Sequence, residues 1–111
     1  MAGKLTTHAL DTAAGIAAAG MAVTVRRDGE VLARTALDAG GRAVLLEAGL
    51  EPGAYDLVFA VAAYHRARGV ALADPPFLDE VTVRFGVSDP DAHYHVPLLV
   101  SPYSYATYRG G

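Results

Sequence analysis

Four histidines are the side chains best suited to moving a proton near neutral pH: His8, His65, His93 and His95. His93 and His95 stand two apart, so on a strand they project from one face. The opposite face, Tyr94, Val96 and Leu98, is core-like. The pair then reads as surface histidines, as a general base with a neighbour, or as two ligands of a zinc ion. A catalytic zinc takes three protein ligands, and His8 is the candidate third. His65, beside Arg66 and Arg68, reads as a solvated residue. Tyrosine is concentrated near the C-terminus, with Tyr94, Tyr103, Tyr105 and Tyr108 close together. In an extended segment Tyr103, Tyr105, Thr107 and Arg109 share a face. They are either β-formers stacked across strands or an aromatic and guanidinium wall for a planar, oxygen-rich ligand. Arg42 follows two glycines at the start of a strand. There is no Cys, which excludes thiolate catalysis, disulfides and Cys-ligated metals. The serines, Ser88, Ser101 and Ser104, build no Ser-His-Asp triad by spacing, and Walker, GxSxG and HExxH motifs are absent.

Strands must position these groups, because the dominant period is two. Met21, Val23 and Val25 alternate with Ala22, Thr24 and Arg26. Asp28-Gly29 is a hairpin signal, and Glu30 to Leu37 is the expected partner strand. Asp38 to Gly41 is a turn, followed by a short strand from Arg42 to Leu46. After Pro52-Gly53, the residues Tyr55, Leu57, Phe59 and Val61 share one face. Val81, Val83, Phe85 and Val87 repeat the pattern, as do Tyr94, Val96, Leu98 and Val100. A last strand is expected from about Tyr103 to Arg109. Ala13 to Gly20 reads as a loop. Ala62 to Arg68, stopped by Gly69, reads as a short helix, followed by a loop through Asp74-Pro75-Pro76. Short strands with regular turns predict an all-β Greek-key sandwich with one short helix.

At 111 residues the chain fits a single domain spanning 1–111. Its 52% hydrophobic and 19% charged residues are a globular composition. A net charge of -3 argues against nonspecific nucleic-acid or anionic-membrane partners. No apolar run approaches the ~20 residues of a membrane span. No basic region followed by an apolar stretch opens the chain, and a cytoplasmic address is the expectation.

Six segments resemble one family. Thr7-His8-Ala9-Leu10-Asp11-Thr12 with Gly15 is similar to the THxLDTxxG opening of the 5-hydroxyisourate hydrolases, the transthyretin-related enzymes of purine catabolism. Gly41-Arg42 resembles their DGR, with Gly40 where Asp is usual, and Gly53-Ala54-Tyr55 resembles their GxY. Pro76-Phe77-Leu78-Asp79-Glu80-Val81 is a variant of FFPEV. His93 to Leu99 reads HYHVPLL, and Ser101 to Gly110 fits SPYxYxTYRG. The likeness runs from about Leu5 to the last residue. It implies a transthyretin-like sandwich, a homotetramer built as a dimer of dimers, and metal-free, cofactor-free hydrolysis of 5-hydroxyisourate to 2-oxo-4-hydroxy-4-carboxy-5-ureidoimidazoline. Carried over residue by residue, it implies catalytic roles for His8, Arg42 and His95. It implies substrate binding by Tyr108, Arg109 and Gly110. Two departures stand out: Gly111 replaces the usual terminal Ser, and Gly40 predicts a looser turn before Arg42. The alternative is a transthyretin-like carrier of a small aromatic molecule, but transthyretin lacks the His and Arg constellation and the YRG tail.

Overall fold

A computed structural model describes residues 3–111; the first two positions of the expected 1–111 domain lie outside the described residues. The strands are β1 (Lys4–Asp11), β2 (Ile16–Ala17), β3 (Ala22–Arg27), β4 (Glu30–Ala36), β5 (Arg42–Leu46), β6 (Gly53–Phe59), β7 (Val81–Val87), β8 (His93–Val100) and β9 (Tyr105–Thr107), with one helix, α1 (Val61–Ala67). They form two sheets. One runs β2-β1-β8-β9, with β5 sharing the β2 edge of β1, and the other runs β4-β3-β6-β7. Alternation dictates what fills the space between them. Val23, Val25, Leu57 and Phe59 from one sheet and Leu5, Ala9, Leu98 and Val100 from the other are fully buried. Each of these valine, leucine and phenylalanine side chains contributes roughly 1.5–3 kcal/mol by leaving water. The all-β sandwich with one short helix is as expected, and no helix among the described residues is long and apolar enough to cross a membrane.

The Asp28-Gly29 turn has positive φ at both residues, the geometry that matches strand twist in a two-residue hairpin. α1 lies one residue earlier than expected and ends before Gly69, which has the left-handed φ of 81°. Ala13 to Gly20, expected as a loop, contains β2, and Val61 opens α1 rather than continuing β6. Three further differences concern β1, His65 and the C-terminal strand. First, β1 is a strand that no apolar alternation marks. Its inward row is Leu5, Thr7, Ala9 and Asp11, so polar residues break the apolar alternation. The fold satisfies both: Thr7 donates its hydroxyl to the Val96 carbonyl at 2.7 Å, and Asp11 accepts from the Ala13 and Ala14 N–H groups and from the Tyr64 hydroxyl. Second, His65 is buried rather than solvated, because Val61, Tyr64 and His65 share the inner face of α1. Third, the C-terminal strand spans only Tyr105–Thr107, since Ser101 to Ser104 close a turn in which Ser101 Oγ accepts the Ser104 N–H.

Candidate active site

The outward row of β1 is Thr6, His8 and Leu10, the side chains left over when Leu5, Thr7 and Ala9 turn inward. β1 runs parallel to β8, with Thr6 opposite His95 and Lys4 opposite His93. On its other edge it runs antiparallel to β5, with His8 opposite Arg42. Three strands thus bring Thr6, His8, Arg42, His93 and His95 to one sheet face. A half-open cleft of about 370 Å³ lies there, with Thr6, Asp38, Arg42, His93, His95 and Gly111 among its lining residues. That volume lies at the lower end of the range for small-molecule pockets.

His95 is the best-positioned titratable group. Its Nδ1 lies 2.7 Å from Thr6 Oγ1, while Nε2 has no hydrogen-bond partner among the described residues. Burial, and then the nearby charges of His93, His8 and Arg42, lower its pKa from the ordinary histidine value. A neutral imidazole with one nitrogen held and the other open can accept a proton. The Arg42 guanidinium is exposed and has no ion-pair or hydrogen-bond partner among the described residues, so its fork is available to a ligand. His8 is half-buried beside Arg42 and stands outside the cleft lining. His93 lines the cleft, but its Nε2 meets Thr6 Oγ1 at 2.7 Å. Among the described residues no group of three His, Cys, Asp or Glu side chains converges as a metal site.

The turn before Arg42 is not loosened by Gly40. Asp38 Oδ1 accepts the N–H groups of both Gly40 and Arg42 at 2.9 Å, an Asx turn supplied two residues earlier. Gly41 adopts φ of 74°, and a Cβ there would come within 2.6 Å of the Ala9 carbonyl. The turn therefore requires glycine at this position.

The tail follows the register of β9. Leu98 pairs with Thr107, and the same register carries on to His95 opposite Gly110. Pro97 cannot donate to this ladder, and its carbonyl instead accepts the Thr107 hydroxyl at 2.7 Å. Gly110 donates its N–H to the His95 carbonyl at 2.8 Å. Arg109 lies over the Tyr94 ring, 4.3 Å from its centroid, and does not line the cleft. Tyr108 is exposed. From the sequence, Asp38 is placed only in a turn, and neither it nor Thr6 is given a role at the site. The usable signals were the spacing of Thr6 to His8 on a strand and an Asp two residues before Gly-Gly.

Residues 5–110 match the HIUase/Transthyretin family. The chain belongs to this family. A 5-hydroxyisourate hydrolase of Ralstonia nicotianae is 55% identical over 97% of this chain and 98% of its own length. The solved structure of Klebsiella pneumoniae 5-hydroxyisourate hydrolase superposes with a TM-score of 0.87 at 31% identity, over 98% of this chain and 99% of the other. Sea bream transthyretin, solved in complex with thyroxine, gives a TM-score of 0.81 at 30% identity, over 96% of this chain and 93% of the other. The HIUase/Transthyretin fold thus serves both a hydrolase and a thyroxine-bound protein, and the cleft residues must decide between such uses.

Proposed function

We propose that the protein hydrolyses 5-hydroxyisourate to 2-oxo-4-hydroxy-4-carboxy-5-ureidoimidazoline, with His95 as the general base. The observation that carries this reading is one imidazole with an open Nε2 beside a guanidinium without a partner among the described residues, in a cleft of small-molecule size. The product carries a carboxyl and a ureido group, so the bond that breaks is a ring acyl C–N bond. Water attacks the ring carbonyl and gives its proton to His95 Nε2. Arg42 stands beside the developing oxyanion, where a guanidinium helps more in the transition state than before it. His8 orients the water. The C–N bond then breaks, and the leaving nitrogen takes the proton held on His95 Nε2. Gly110 holds the tail against His95, while Tyr108 and Arg109 close the substrate site in the assembled protein.

The assembly in this reading is a homotetramer, a dimer of dimers, formed by a single domain over 1–111 in the cytoplasm. Support comes from Leu10, Ile16 and Val44, large apolar side chains exposed on β1, β2 and β5. Light scattering that finds a fully active monomer refutes the assembly, and cell fractionation tests the address.

The decisive assay follows the absorbance decay of freshly generated 5-hydroxyisourate. His95→Asn and His8→Asn are each expected to lower turnover by at least ~10²-fold with the fold intact. Wild-type turnover in His95→Asn refutes the hydrolase reading and leaves the cleft to a carrier of a small aromatic molecule.

A further inference from the structure

Thr6 Oγ1 sits 2.7 Å from His93 Nε2 and 2.7 Å from His95 Nδ1. A hydroxyl has one proton and cannot donate to both imidazoles, so at least one of the two donates to it. If His95 donates from Nδ1, Thr6 passes its own proton toward His93 Nε2, and both contacts of the Thr6 hydroxyl are satisfied. His95 Nε2 then carries its lone pair into the cleft. The reverse order places N–H at His95 Nε2 and abolishes its use as a base. The three side chains come from β1 and β8, and all line the cleft. His93 is exposed, whereas His95 is half-buried.

We propose that Thr6 is a positioning residue that sets the tautomer of His95 and, with His93, relays the proton taken from water to the exposed side of the cleft. The proposal rests on the hydrolase reading. The proton count balances. Water gives a proton to His95 Nε2, His95 Nδ1–H moves to Thr6 Oγ1, and the Thr6 hydroxyl proton moves to His93 Nε2. His95 is then neutral with its proton on Nε2, Thr6 is again a hydroxyl, and His93 is an imidazolium; as the leaving nitrogen takes the His95 Nε2 proton, His93 returns its proton through Thr6 to His95 Nδ1, and the resting tautomer is restored. The driving difference is solvation. Burial disfavours a cation on His95, and water stabilises one on exposed His93. The other charged groups on this face are His8 and Lys4 on β1, Arg42 on β5, Asp38 in the turn before it, and Arg109, whose Nη2 reaches the His93 carbonyl at 3.5 Å. None of them makes a hydrogen bond to His95 Nδ1, so the hydroxyl is its one partner among the described residues.

The test compares Thr6→Val, which keeps the β-branched shape and removes the hydroxyl, with Thr6→Ser, which keeps the hydroxyl. Thr6→Val is expected to lower kcat by at least about 10-fold, part of the ~10²–10⁴ that a general base supplies, with KM little changed. Thr6→Ser is expected to return most of the loss. The rate in mixtures of light and heavy water is expected to depend on more than one transferred proton in the wild type and on a single one in Thr6→Val. Nitrogen NMR of labelled histidine is expected to find the His95 proton on Nδ1 in the wild type and to find it redistributed in Thr6→Val. Wild-type kcat in Thr6→Val, Thr6→Ser as impaired as Thr6→Val, or a wild-type His95 proton on Nε2 overturns the proposal. A wild-type protein that leaves 5-hydroxyisourate decay unchanged overturns the hydrolase reading instead, and the NMR comparison still decides whether Thr6 sets the tautomer.

Discussion

Gly110→Ala adds one methyl group in the tightest contact of the candidate site. Gly110 does not use a left-handed φ, so the backbone itself accepts alanine. The obstacle is His95: the new Cβ would lie 2.4 Å from Cδ2, 3.1 Å from Cγ and 3.2 Å from Cβ of that side chain. Ordinary contact begins near 3.4 Å, so ring and tail must part by about 1 Å. Two tethers oppose the separation. The ring is held at Nδ1 by Thr6, and the tail is held by the Gly110 N–H on the His95 carbonyl. If the tail yields, one backbone hydrogen bond is lost, about 0.5–1.5 kcal/mol. If the ring yields, the base is misplaced by about 1 Å, which costs on the order of 10²-fold in rate. Gly110→Ala is therefore expected to lower kcat on 5-hydroxyisourate by roughly 10- to 100-fold. Its Tm should fall by no more than about 8 °C. Gly86→Ala is the control: it sits in the other sheet with open space around its Cβ position, and it should keep wild-type kcat. Wild-type kcat in Gly110→Ala refutes the claim that the tail positions His95.

Three other outcomes follow from the site. Protonated His95 cannot accept the water proton, so kcat/KM falls as pH drops through its pKa; that acid limb should lie below pH 6.5, and in Arg42→Gln it should move to higher pH. A wild-type limb above pH 6.5 contradicts the assignment. Asp38→Ala leaves the N–H groups of Gly40 and Arg42 without their acceptor, so a loss of about 1–3 kcal/mol in denaturant unfolding, with a raised KM, is expected. Full activity is expected after chelation and exhaustive dialysis; stoichiometric zinc whose removal abolishes activity and whose return restores it refutes the metal-free mechanism.

The apolar alternations of β3, β6, β7 and β8 were legible because each inward row is nearly pure hydrocarbon. β1 was not, because Thr7 and Asp11 take core positions and find partners far along the chain, the Val96 carbonyl for Thr7 and the Tyr64 hydroxyl for Asp11. His65 was misread from its arginine neighbours, although its spacing to Val61 already placed both on one helical face. At the site, residue types pointed to His95 and Arg42, and the shared face of His93 and His95 followed from strand geometry. The roles of Thr6 and Asp38 were hidden for a different reason. Each depends on a partner whose position is set by sheet register or turn closure, and a hydroxyl or carboxylate alone carries no mark of that partner.

The parallel pairing of β1 with β8 also decides when the site can exist. Thr6 meets His93 and His95 across sequence separations of 87 and 89 residues. Closing a loop of that length costs conformational entropy before any contact repays it, so pairing of this kind belongs to the slow part of folding. During synthesis Thr6 leaves the ribosome long before its imidazole partners, and β1 must wait with one edge unpaired. The chemistry is therefore absent from any partly made chain and arrives all at once, when β8 docks beside β1.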